Sequence, residues 1–83
     1  MNQSIQFHDR EWRDEEKKAI CFPAMVNGFQ VLCAIQEETL FLRFGAHDDA
    51  LACFRRHRLD LEDAAEEAIK AECDDLQGWF WLF

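Results

Sequence analysis

The 83-residue sequence predicts an α+β domain, a short antiparallel sheet with its helices packed on one face. Three stretches carry that prediction. "AICFPAMVNGFQVLCAI", Ala19 to Ile35, sets Asn27-Gly28 between two apolar runs, and Asn-Gly accepts the two positive φ angles of a type I′ hairpin turn. Leu61, Ala64, Ala65, Ala68 and Ile69 recur at the spacing of one helix face. The chain ends on "GWFWLF", a run of bulky apolar residues after Gly78 whose length suits a strand rather than a turn of helix.

Taken in order, "SIQF" (Ser4 to Phe7) alternates as a short strand with Ile5 and Phe7 inward, and "HDREWRDEEKK" follows as a charged connection anchored by Trp12. In the hairpin, a two-residue turn pairs Val26 with Phe29, Ala24 with Val31, Phe22 with Cys33 and Ile20 with Ile35, which puts all eight on the core face. Cys21, Pro23, Met25, Gln30, Leu32, Ala34 and Gln36 then share the other face. Pro23 has no amide proton, so its edge of the strand is expected to face outward or to be irregular. "EETLFLRF" before Gly45 reads as a helix with two acids at its positive end and a glycine at C′. A second helix is expected from near Asp48, with Leu51 and Phe54 inward, ending in "RRHR". A third is capped by Asp60. The element order is β-β-β-α-α-α-β over one domain, 1–83. Which alternating set of the last strand faces the helices, Trp79/Trp81/Phe83 or Phe80/Leu82, the pattern leaves open.

Composition is that of a folded chain, 49% apolar against 31% charged, and aromatic enough to offset its ordering entropy. The formal charge of −8 is concentrated in residues 59–83, where eight acids face the single base Lys70. A sequence-independent grip on nucleic acid needs bases that neutralise phosphates, so the overall field opposes it. The first eighteen residues mix both charges without an apolar segment of the secretory kind. Ala19 to Gln36 carries no charge, but its proline and Asn-Gly turn fit two strands rather than a membrane span. Cytoplasmic location and reduced thiols are the expectation.

"NQSIQF", "KKAICFPAMVNGFQVLCAI", "FRRHRLDLEDAAEEAI" and "QGWFWL" together resemble, in this order and over nearly the whole chain, the YrdB-like family of small uncharacterised bacterial proteins. The resemblance implies a compact cytoplasmic α+β domain. It implies no activity, cofactor or catalytic residue.

The residues themselves offer little chemistry. Cys21, Cys33, Cys53 and Cys73 are too widely spaced for a zinc or redox pair, and His8, His47 and His57 add no ligand spacing. Cys21 and Cys33 fall on opposite sheet faces and cannot pair, and Cys21 is the thiol expected to react if exposed. The acids of the third helix are expected to be a solvated face that drives no two carboxylates apart in pKa. No catalytic residue, metal or cofactor is therefore expected. The leading reading is a non-enzymatic interaction or regulatory module that meets a protein partner or a second copy, through the acidic helix or the sheet face holding Met25, Leu32, Trp79 and Trp81. The alternative is an RNA- or anion-binding accessory protein using Arg43 with Arg55, Arg56 and Arg58. Against it, "RRHR" is expected to cap a helix end and face the acidic third helix.

Overall fold

Asn27 (φ 52°) and Gly28 (φ 87°) close the hairpin with both angles positive, as a type I′ turn requires. The register it fixes is the predicted one, from Val26 opposite Phe29 to Ala19 opposite Gln36. In the computed structural model, which describes residues 4–83, these two strands, β3 (Ala19–Val26) and β4 (Phe29–Gln36), form the centre of a five-stranded sheet. Of the domain expected over 1–83, residues 1–3 lie outside this description.

Two short strands, β1 (Ile5–Phe7) and β2 (Trp12–Asp14), share the outer edge of β3, β1 pairing Ala24–Val26 and β2 pairing Ala19–Cys21. The break between them has a covalent cause. Because Val26 and Phe29 exchange hydrogen bonds across the turn, alternation turns the amide positions of Met25, Pro23 and Cys21 toward the outer edge. At Pro23 there is no proton to give, and the edge pairing stops on either side of it. The charged connection expected around Trp12 is therefore a strand in its own right.

After β4 the chain passes at once into α1 (Glu37–Phe44), then α2 (Ala50–Arg56) and α3 (Arg58–Lys70), before β5 (Trp79–Trp81). Glu37 and Glu38 lie in the first turn of α1, and Gly45, at φ 90°, donates its amide to Phe41 at 2.8 Å to end it. Any side chain at position 45 would also strike the His47 ring, 2.8 Å from where a Cβ would sit. Asp49 caps α2 by accepting from the Ala52 amide at 2.8 Å. Asp60, the expected cap of α3, lies inside it instead, because α3 starts directly off α2 with only His57 (φ −111°, ψ 25°) between them. His57 stacks on Phe44, ring centroids 4.1 Å apart, which fixes the joint.

The sheet is mixed, not purely antiparallel. β5 runs parallel to β4, with Leu32 opposite Trp79, Cys33 opposite Phe80 and Ala34 opposite Trp81. The three helices return the chain to the end of the sheet where β4 begins, so the next strand must run the same way. Phe80 and Leu82 consequently face the helices. They join Ile20, Phe22, Cys33 and Ile35 of the sheet and Leu40, Phe54, Leu61, Ala65 and Ile69 of the helices in one core. Phe22 meets Phe54 at 4.9 Å between centroids. The stripe predicted for α3 is the buried one, with Ala64 and Ala68 at its margin. The hairpin tip overhangs this core, so Phe29, expected inside, is 77% exposed, and Val26 and Val31 are half-buried.

Between β1 and β2, Glu11 tucks its carboxylate under the α2–α3 joint. Its Oε2 accepts from Arg55 Nε at 2.8 Å and Arg58 Nη2 at 2.7 Å, while its side chain is only 5% exposed. The Arg58 hydrogen bond holds its pKa down to about 2, against the upward push of burial and with help from Arg55. A native pKa below the unfolded value contributes stability that is complete above the unfolded value and is lost as pH falls through the native one. Glu11 therefore stabilises the fold fully above about pH 4.5 and ceases to as pH drops toward 2. Glu11→Gln is expected to cost about 2 kcal/mol at pH 7, less than the full pKa displacement because Arg55 is solvent-screened. It should also flatten the decline of Tm between pH 4.5 and 2, measured by circular dichroism; an unchanged acid limb in the variant would refute this role.

Candidate interaction surface

All helices pack on one face of the sheet, and the other face holds all three tryptophans of the chain. The register lines them up. One row across the sheet reads Trp12, Cys21, Ala34, Trp81, and the next reads Pro23, Leu32, Trp79. Two small residues thus separate two indoles in the first row. Ala19, Cys21 and Ala34 are fully buried beneath Trp79 and Trp81, although among the described residues no helix or strand crosses this face. Trp79 and Trp81 are half-buried, their rings 6.4 Å apart and tilted by 30°, and Trp12 is 39% exposed.

Two carboxylates set the geometry. Asp75 accepts through Oδ1 from the amides of Gln77 and Trp79, each at 2.9 Å, and through Oδ2 from the Trp81 indole Nε1 at 3.0 Å. Its own amide donates to the Trp79 carbonyl at 2.9 Å, so one aspartate fixes both the strand start and an indole. These donors, the Trp79 amide foremost, hold its pKa below the usual carboxylate value. Asp14, at the other end of the face, accepts the Lys17 amide at 2.9 Å and meets Lys17 Nζ at 3.5 Å. Lys17 reaches from the β2–β3 turn toward β5, its ammonium 4.9 Å from the centre of the Trp79 ring.

The residues read from the sequence as a contact surface, Met25, Leu32, Trp79 and Trp81, lie together on this face and are all half-buried. Leu32 is the cross-strand neighbour of Trp79, and Met25 sits diagonally from Leu32 toward the hairpin tip. Sequence reasoning missed Trp12 and Asp75. The alternation of Trp12 and Asp14 within a charged run is too short to announce a strand, whereas "DDLQGW" carries the aspartate-turn composition that locates Asp75. Cys21, expected to be the reactive thiol, lies beneath the indole layer with no exposed surface, and burial pushes its pKa up to about 11.

Of the four arginines read as an anion site, Arg55, Arg56 and Arg58 line one depression but are each paired with a carboxylate, and Arg43 lies apart from them. Arg55 and Arg58 share Glu11, Arg58 also meets Asp9 at 3.3 Å, and Arg56 pairs with Asp48. Their partners come from the N-terminal connection and the loop before α2, not from α3 as the sequence suggested. Arg43 lies elsewhere, its guanidinium 3.4 Å from the centre of the Phe83 ring. A shallow depression of about 470 Å³ runs along Arg55 to Asp60. An anion entering it would have to compete with Glu11 for the guanidinium groups.

The arrangement offers stacking, apolar contact and cation–π attraction on one face, and committed ion pairs on the other. Among the described residues no three His, Cys, Asp or Glu side chains gather as metal ligands, and no helix is long and apolar enough to cross a membrane. This is a small α+β protein defined by its surfaces, a mixed sheet with helices on one side and tryptophans on the other. The chain belongs to the family described as "Protein of unknown function (DUF1488)", which matches residues 5–82. It is 55% identical over 84 residues to the uncharacterized protein YrdB of Escherichia coli (strain K12), covering 99% of each chain. Identity to the YrdB of Shigella flexneri is 54%, with the same coverage. The crystal structure of a DUF1488-family protein of unknown function from Shewanella loihica PV-4 superposes with a TM-score of 0.89 at 34% identity, over 99% of this chain and 94% of that one. The family resemblance read from the sequence and the α+β class both hold.

Two measurements test this geometry. Of the four thiols only Cys73 is exposed, so a thiol reagent at pH 8 should modify one cysteine per folded chain and none in Cys73→Ser. Rapid labelling of Cys21 would mean that the indoles do not cover it. Asp75→Ala removes the acceptor of three hydrogen bonds at a solvated site and is expected to cost about 1–2 kcal/mol. The Trp81 indole proton should then exchange with solvent much faster by NMR, and unchanged exchange would contradict the anchoring role.

Proposed function

We propose that this protein acts by binding rather than by catalysis, as an interaction or regulatory module whose contact surface is the helix-free face of its sheet. One observation carries the reading: all three tryptophans of the chain lie on that face, beside Met25 and Leu32 and over a floor of small residues. Tryptophan brings large, rigid contact area at low entropic cost and dominates the energetics of many interfaces. A face so furnished, with no helix of the described residues across it, has the properties of a docking surface. The acidic face of α3 offers mostly solvated charge, which adds steering but little affinity.

A second reading, an RNA- or anion-binding accessory protein, draws on the same outward tryptophans, since bases stack on open aromatic sheets. The charge distribution weighs against it. Arg55, Arg56 and Arg58 are paired with carboxylates of the same chain, Arg43 covers Phe83, and the net charge is −8. Such a complex would dissociate steeply with added salt, and Arg56→Ala would weaken it.

Affinity capture of the tagged full chain from extracts of its own cells, with and without nuclease, separates the two. The module reading expects a protein partner retained after nuclease and lost with Trp12→Ala or Met25→Glu, both folded by circular dichroism. A partner indifferent to those changes, or released by nuclease, would overturn it.

A further inference from the structure

The position of Lys17 carries a step further, resting on the sheet-face reading. Its ammonium lies over the Trp79 ring at 4.9 Å and pairs with Asp14 Oδ2 at 3.5 Å, the outer limit of a hydrogen bond. The molecule thus places one of its own cations on its tryptophan face, between an aromatic ring and a carboxylate, and holds it loosely from a turn. We infer that the partner is basic: an extended peptide segment whose lysine or arginine side chain takes the place of Lys17 over Trp79, with its apolar neighbours against Trp12 and Trp81.

Charge complementarity supports this occupant over the others. Indole faces attract cations through their quadrupole, more strongly once water is excluded. The carboxylates of Asp14 and Asp75 sit at the two ends of the face, and Asp75 already accepts the Trp81 indole proton. The overall charge of −8 steers cations toward the molecule and anions away. The arginines that a polyanion would need are tied to Glu11, Asp9 and Asp48. A second copy of this chain would bring the same negative charge to the contact. A basic segment meets none of these obstacles, and Lys17, on an exposed turn, can swing aside to admit it.

All three indole N–H groups report on this face and on no other part of the surface, so NMR of the ¹⁵N-labelled full chain reads the site directly. The probes are an acetylated heptapeptide with two lysines flanking a leucine, the same peptide with glutamine at both lysines, its glutamate counterpart, and an oligouridylate. The lysine peptide should shift the indole resonances and bind about tenfold more tightly than the glutamine peptide. Lys17→Ser, which vacates the ring at an exposed turn, should tighten its binding about threefold. If the glutamine peptide shifts the indoles with equal affinity, the basic-partner inference is wrong while the sheet-face reading stands. If the lysine peptide binds and moves only amides of α3, both are wrong. Tighter binding of oligouridylate at the indoles would replace the peptide with nucleic acid, and indole shifts that depend on protein concentration alone would replace it with a second copy. Unchanged or weaker lysine-peptide binding by Lys17→Ser would remove Lys17 as the stand-in for the ligand.

Discussion

The parallel ladder between Leu32–Ala34 and Trp79–Trp81 decides the character of both faces of this protein. In a strand, successive side chains point to opposite sides, so one register assigns Phe80 and Leu82 to the helical core and both terminal tryptophans to the far face. A slip by one residue would exchange them, burying the bulkier indoles under the helices and leaving Phe80 outside. The slip is resisted from both sides. Phe80 fills space between the sheet and the helices, and Asp75 binds the Trp79 amide and the Trp81 indole together in the observed register. The tryptophan face is thus a product of core packing as much as of its own residues.

A second constraint works at a distance from that ladder. β1 and β2 are three-residue strands held to β3 by few backbone bonds, and such strands need side-chain anchorage. Glu11 supplies it for β2 by carrying the charges of Arg55 and Arg58, which belong to different helices. Arg13, the next residue but one, forks onto the Glu37 carboxylate at the start of α1 through two bonds of 2.9 and 3.0 Å. The basic cluster that draws attention in the sequence is therefore spent on architecture: it ties the outer strand, which bears Trp12, to the helical layer.

What was legible in the sequence is what local chemistry determines. The Asn-Gly turn fixed eight cross-strand pairs, the apolar stripe of Leu61 to Ile69 fixed the buried side of α3, and the shortness of "WFWLF" argued a strand. What was not legible depends on parts distant in the chain. The direction of β5 follows from where α3 releases the chain, which no residue of β5 encodes. The strand at Trp12 exists because β3 offers it free amides and carbonyls, while its own residues are mostly charged. Asp60 looks like a helix cap by composition, yet the helix is already under way at Arg58, since α2 delivers the chain in a helical direction and His57 needs only a small deviation to turn it. Cys21 was assigned to the correct face, but its burial depended on how far the indoles of β5 lean across their neighbours.

The interruption at Pro23 has a further bearing on how this protein can meet others. The β3 margin is broken into two short segments around a residue without an amide, and on the opposite side the Asp74–Asp75 segment bridges back onto β5. Among the described residues neither rim presents a long row of unsatisfied amides and carbonyls, the feature by which one chain recruits the backbone of another into a continuous ribbon. Growth by strand addition, including the runaway kind that ends in fibrils, is thereby disfavoured. The surface that such a molecule offers to others is therefore one of side chains, whose chemistry is particular to their sequence, more than the generic appetite of a peptide backbone.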